Sequence, residues 1–246
     1  MNPDYLESAK EHVSKRIGLT PINTDPFDHC IVDDVFPQDI LKALDDYWPS
    51  DDVLESLGKT GRATSDAYKE RQVMLFEERF LEKLAPQQLE FWKGMANIAM
   101  SRKAIMACIQ KFHSVIQPRL NELGRDAEIR PYLSVVSDRT GYSIGPHTDT
   151  QVRLFSMLFY LSTDSKYLNF GTSFYTPKDP NKERFHRAHY PFSDFNLHSS
   201  VDYRPNRLLV FPRSDKSFHG VETVSLGGCD RRLLIVNVQM PSSKKD

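Results

Sequence analysis

The sequence predicts a single domain of mainly β class with α: an antiparallel sandwich or jelly roll flanked by N-terminal helices. Three observations carry this expectation. Residues 129–240 hold segments of alternating or continuous apolar character, separated by Gly, Pro, Asn and Asp. Residues 1–128 hold helical periodicity instead, and read as a helical support. No Gly/Ser/Pro linker divides the two parts, so residues 1–246 read as one unit.

In chain order, HCIVDDVF is a short strand ahead of the first periodic helix. PQDILKALDDYW then places Ile40, Leu41, Leu44 and Trp48 at helical spacing, with Pro37 near the start. PQQLEFWKGMANIAM repeats the pattern with Leu89, Trp92, Met95 and Ala96. The next segment opens at Ser101, an N-cap residue type, and carries Ile105, Cys108, Ile109, Phe112 and Ile116 on one face. Pro118 is expected to bend or end it. IRPYLSVVS, RLFSMLFYLS, TSFYTP, RLLVFP and RRLLIVNVQM follow as strands, rich in β-branched and aromatic residues. The long polar, aromatic-rich stretch from about 176 to 205 reads as a functional or disordered loop.

Composition narrows the function classes. The 32 Lys plus Arg balance 33 Asp plus Glu, which argues against a nucleic-acid or anionic-membrane partner. Three cysteines, Cys30, Cys108 and Cys229, give an odd count without a CxxC. A disulfide framework or zinc ribbon is not expected, and a reducing compartment fits. The polar N-terminus lacks an apolar signal region, and no apolar run approaches the roughly 20 residues that span a bilayer. A soluble, cytoplasmic protein is the expectation. Oligomeric state is not legible.

His147, Asp149 and His219 carry the chemistry. They form a His-x-Asp pair in GYSIGPHTDT and a second histidine 72 positions later in FPRSDKSFHGV. Two imidazoles and a carboxylate are the ligand set of a non-heme iron site with open coordination positions. They also suit a catalytic zinc. On a strand, positions i and i+2 point to the same side, so His147 and Asp149 can reach one ion. His219 follows the RLLVFP strand and is expected to come in across the barrel. His-x-Asp alone is a short pattern, equally compatible with an exposed turn. Gly141, Gly145 and Pro146 bracket it as at a strand end. His186, His189 and His198 fall in the long polar stretch with Arg184 and Arg187, and lean the substrate towards a polar or anionic molecule. His12, His29 and His113 read as structural, and Cys229 suggests no mechanism.

GPHTDT, FSMLFYL, GTSFY, RLLVFPRSDKSFHGV and DRRLLIV, in this order, resemble successive motifs of the 2-oxoglutarate/Fe(II)-dependent dioxygenases, on the prolyl-4-hydroxylase-like branch. The resemblance covers roughly residues 129–240. It implies a double-stranded β-helix (jelly roll, cupin-like). It implies Fe(II) held by His147, Asp149 and His219, with 2-oxoglutarate as cosubstrate and O2 as oxidant. The family holds the distal carboxylate of 2-oxoglutarate with a basic residue opening the strand after the second histidine. Here that is Arg231 or Arg232, and the planar guanidinium fork suits a carboxylate. The family pattern favours Arg231, but Leu233 is larger than usual there, which keeps Arg232 as the alternative. Tyr160 matches a position that often bonds the same carboxylate, and Ser156 lies four residues back on the same face. Tyr142, Tyr132 and Asn237 are candidates to line the substrate pocket. Asp149 points to hydroxylation rather than halogenation, because halogenating members replace this carboxylate with a small residue. The implied reaction is hydroxylation of a C–H bond in a small polar molecule, with 2-oxoglutarate decarboxylated to succinate. Alternatives are a peptide or protein hydroxylase, a non-catalytic binding protein on the same β-fold, and a zinc hydrolase.

Overall fold

The structure is a computed structural model that describes residues 1–62, 68–123, 128–162, 164–180, 189–225 and 227–240. Among these residues the strands form two antiparallel sheets. The larger has seven strands, in the order β1 (Cys30–Val32), β9 (Arg207–Pro212), β6 (Arg153–Tyr160), β11 (Arg231–Gln239), β4 (Arg130–Asp138), β3 (Arg71–Leu75) and β2 (Glu55–Ser56). The smaller has four, in the order β5 (Ile144–His147), β10 (His219–Val221), β7 (Thr172–Pro177) and β8 (Phe195–Val201). This is the double-stranded β-helix expected from the sequence.

Among the described residues the first half supplies six helices: α1 (Pro3–Leu19), α2 (Gln38–Tyr47), α3 (Glu78–Leu81), α4 (Pro86–Ala99), α5 (Arg102–Lys111) and α6 (His113–Leu123). The start of α1 follows from Pro3 in the first turn and from Asn2, whose side chain accepts the Tyr5 N–H at 2.8 Å. It buries Ala9, Val13 and Ile17, one face at i, i+4 and i+8, against α4 and α5. Ser101 caps α5 by accepting the Ala104 N–H at 3.2 Å.

Strand alternation sorts the seven-stranded sheet into two faces. Along β11, Leu233, Ile235 and Asn237 face an internal cavity. Leu234, Val236 and Val238 face the other way and join one apolar cluster with α1, α4 and α5. Burying each such side chain contributes about 1.5–3 kcal/mol, so this face fixes where the sheet sits.

Three sequence expectations change. The first half is not helical apart from one short strand, since it also supplies β2 and β3 at the edge of the large sheet. The segment after Ser101 is two helices meeting at Phe112, and Pro118 lies inside α6 instead of ending it. The fully buried Ile116 anchors that helix, offsetting the hydrogen bond that proline cannot make. The stretch 176–205 is not all loop, because Phe195–Val201 pairs with β7 as β8. Only the two ends of β8 are buried, so it lacks the alternation that marks a strand. A polar edge strand of this kind resists pairing with other chains. Arg184, His186 and Arg187 lie outside the described residues.

Candidate metal centre and its cavity

β5 and β10 pair antiparallel with His147 directly opposite His219. The second histidine therefore does not cross the barrel, as the sequence suggested, but stands on the neighbouring strand of the same sheet. RLLVFP forms β9 in the other sheet, and the chain changes sheets in the turn at 213–218 before His219. Two glycines permit the close packing here. A Cβ on Gly145 would lie 2.0 Å from the Tyr190 carbonyl oxygen, and one on Gly220 would lie 2.6 Å from that of Ile144.

The imidazole rings of His147 and His219 are 4.3 Å apart between centroids. The ligand atoms offered by His147, Asp149 and His219 all fall within 4.8 Å of one another. His147 Nδ1 is 3.0 Å from the Gly145 carbonyl oxygen, and His219 Nδ1 is 3.0 Å from that of Ser217. A carbonyl only accepts, so each Nδ1 carries the proton and donates it. Each Nε2 is left with its lone pair for a metal.

Asp149 follows β5 in a turn whose backbone carbonyl accepts from Arg213 Nε at 3.3 Å. One of its carboxylate oxygens pairs with Arg153, four residues on, and the other accepts from the Ser156 hydroxyl at 2.7 Å. Asn237 Oδ1 is 3.2 Å from the same hydroxyl. Burial pushes the Asp149 carboxyl up, but Arg153, the two imidazoles and Ser156 overcome it and bring it down to about 2. Burial, reinforced by His219, pushes His147 down to about 3, and burial also lowers His219. An ionised carboxylate beside two neutral imidazoles is the state a divalent cation needs, so the donor set fits such an ion.

The cavity next to these residues has a volume of about 580 Å³ and is lined by both sheets. Apolar side chains including Val136, Leu158, Leu233 and Ile235 form its middle. The far end carries Arg231, only 1% exposed. Its Nη1 donates to Asp138 Oδ2 at 2.8 Å and its Nε to the Phe170 carbonyl at 2.5 Å. Arg232 points the other way, donating to Asp45 at 2.6 Å and lying over Trp48. Strand alternation thus separates the two arginines, and Arg231 is the one that lines the cavity.

The remaining predicted residues divide between the two ends. The Tyr160 hydroxyl donates to Thr172 Oγ1 at 2.8 Å and accepts the Thr172 N–H at 3.1 Å. The Tyr160 ring centroid is 5.6 Å from Arg231 Cζ. Ser156 is engaged at the metal end with Asp149, and four residues of strand separate it from Tyr160, about 13 Å. Asn237 is its register partner on the neighbouring strand β11. Tyr132 pairs with Asn237 from the other side and is 38% exposed, below Arg62. Tyr142 is buried with its ring 4.2 Å from Arg71 Cζ. Its hydroxyl has no hydrogen-bond partner among the described residues. His198 bonds Asp25, away from the cavity, at 3.0 Å.

Three residues of the site escaped the sequence reading: Arg71, Asp138 and Arg153. Arg153 had a visible signal, since it opens a strand four residues after Asp149. Arg71 and Asp138 had none, because their importance depends on which strands lie side by side.

No protein-family model and no curated protein sequence matches the chain. Solved structures do. The chain has the fold of the prolyl-4-hydroxylase-like oxygenases, and individual structures make this concrete. A prolyl-4-hydroxylase from Pseudomonas putida superposes with a TM-score of 0.52 at 14% identity, over 94% of this chain and 98% of that one. A prolyl hydroxylase from Trichoplax adhaerens, in complex with a hypoxia inducible factor peptide fragment, gives 0.51 at 12% identity, over 97% and 94%. A non-heme alpha ketoglutarate dependent epimerase from nogalamycin biosynthesis gives 0.51 at 12%, over 97% and 82%. At such identities the likeness establishes the fold, and chemistry must be argued from the site. Among the described residues no helix is long and apolar enough to cross a membrane.

Proposed function

We propose that this protein is an Fe(II)- and 2-oxoglutarate-dependent oxygenase that hydroxylates a C–H bond of a small polar molecule. The observation that carries the proposal is the His147–Asp149–His219 cluster beside a cavity whose far end holds the buried Arg231. His147, Asp149 and His219 hold the iron, and Arg231 holds the distal carboxylate of 2-oxoglutarate. Bound together, iron and 2-oxoglutarate supply dioxygen-driven oxidation of an unactivated C–H bond, with the 2-oxo acid lost as succinate and carbon dioxide.

The chain's own residues position and protect. The Gly145 and Ser217 carbonyls fix the tautomer and tilt of the two imidazoles. Ser156 and Arg153 hold the Asp149 carboxylate in one rotamer. Tyr160 acts through Thr172, whose hydroxyl oxygen is 3.4 Å from Arg231 Nη2. Leu158, Leu233 and Ile235 give the middle of the cavity an apolar lining of low polarity, which strengthens the charge interactions at both ends. Tyr132, Asn237 and the half-exposed Arg62 offer polar contacts to a substrate near the metal end.

The test is 2-oxoglutarate consumption and succinate formation by anaerobically purified protein reconstituted with Fe(II). Amino acids, peptides and conjugates would be screened as co-substrates. Turnover that requires both Fe(II) and 2-oxoglutarate is expected. Turnover that survives Asp149→Ala, or a protein that binds neither component, overturns the reading. Stimulation by peptides alone would move the substrate from a small molecule to a polypeptide.

A further inference from the structure

At the far end of the cavity a row of charged side chains crosses three strands. Asp138 of β4 is the direct register partner of Arg231 on β11 and of Arg71 on β3. Asp138 is fully buried and bonds both. Arg71 binds it with two parallel contacts, Nε to Oδ1 at 2.6 Å and Nη2 to Oδ2 at 2.9 Å. Arg231 makes a single contact, Nη1 to Oδ2 at 2.8 Å. Two guanidinium groups thus share one carboxylate, and a net positive charge remains in a buried place. Arg71 and Arg231 both line the cavity, beside the Tyr142 hydroxyl, which has no hydrogen-bond partner among the described residues.

We propose that Arg71 is a positioning residue for the distal carboxylate of 2-oxoglutarate, keeping Arg231 available to that anion by saturating Asp138. The proposal rests on the cavity being a 2-oxoglutarate site. A lone Asp138–Arg231 pair would close into a neutral fork, with both carboxylate oxygens engaged by Arg231. With Arg71 already holding both oxygens, Arg231 keeps its Nη2 edge for a ligand. Among the described residues that edge has only the 3.4 Å contact with Thr172. The unbalanced charge gives the pocket a preference for a dianionic 2-oxo acid over a monoanionic one. Tyr142 stacks on Arg71, and its hydroxyl can donate to the same carboxylate.

The experiment is calorimetric titration of Ni(II)-loaded protein, which binds without turning over. Two ligands are compared: 2-oxoglutarate, and 2-oxopentanoate, which has a methyl where the distal carboxylate would be. Wild type should prefer 2-oxoglutarate. Arg71→Met lets Asp138 draw in Arg231, so it should weaken 2-oxoglutarate by about tenfold to a hundredfold, the loss of Arg231's charge-assisted contact with the distal carboxylate, and leave 2-oxopentanoate unchanged. Arg71→Lys should fall between, because an ammonium keeps the charge but does not span both oxygens. Equal weakening of both ligands would mean a merely structural role and overturn the proposal, as would unchanged 2-oxoglutarate affinity. If the Met variant does not fold, Arg71→Lys decides: a partly lost preference supports the proposal and an intact one overturns it. A wild-type protein that binds Ni(II) but shows no preference for 2-oxoglutarate would sink the reading of the cavity itself, and the proposal with it.

Discussion

At the metal end of the cavity, His147 and Asp149, two apart in sequence, meet His219 at the ends of short strands, and backbone carbonyls set the orientation of the two imidazoles. At the arginine end, residues up to 160 positions apart meet because three neighbouring strands, β3, β4 and β11, hold Arg71, Asp138 and Arg231 in register. The first device tolerates irregular backbone, since His147 and His219 need only adjacent strand tips and Asp149 only a turn. The second needs the whole seven-stranded sheet in its correct alignment. A one-residue slip of β3 would turn Arg71 to the opposite face. The difference teaches that this fold separates the two tasks. The small sheet offers the candidate metal donors, and the large sheet, stiffened by its helix-covered apolar face, stores a buried charge.

Four substitutions would break or sharpen that contrast. Asp149→Ala removes a proposed metal donor, so Fe(II)-dependent 2-oxoglutarate turnover should fall by more than about a hundredfold, beyond the loss typical of supporting groups. Residual turnover near wild type, measured as succinate, would show that the metal end does not do the chemistry. Asp138→Ala leaves the buried Arg231 and the part-buried Arg71 without their shared carboxylate. Urea unfolding should report a loss of about 3–5 kcal/mol. A loss as small as that of a surface pair would mean that the row is not the sheet's charge anchor.

Ser156→Ala is subtler. It frees one oxygen of Asp149 and should weaken metal binding by about tenfold to a hundredfold, read by competition with a chelating dye. If instead 2-oxoglutarate affinity drops while metal affinity holds, Ser156 belongs functionally to the other end. Arg232→Ala should have the smallest effect, under about 1 kcal/mol in stability and none on 2-oxoglutarate affinity, because its partner Asp45 is exposed. A large loss of cosubstrate binding would reverse the assignment of Arg231 to the cavity.

Much of this was readable along the chain. The strands of residues 129–240 announce themselves because their apolar residues alternate or run continuously, and a half-buried strand needs that pattern. His147 and Asp149 are two apart, so the sequence could bring them to one ion, although Asp149 reaches it from the turn after β5 and not from the strand itself. Arg231 against Arg232 was a choice between opposite faces, which the buried environment of β11 resolves. β3 was less legible because RQVML is short and lies between helices. β8 was hidden because an exposed edge strand has no apolar face to declare. The place of Ser156 was also out of reach, since Tyr160 shares its face of β6 while only Ser156 meets the turn that carries Asp149.

By itself the sequence determined the kinds of chemistry the chain can present: the His-x-Asp pair, the second histidine, and a tandem arginine opening a strand. Those are local facts, fixed by covalent spacing. Only the tertiary structure decided that His219 stands beside His147 and that Arg71 and Arg231 close on one carboxylate. Strand order and register are set by burying apolar faces across the whole domain, and no single segment contains that information.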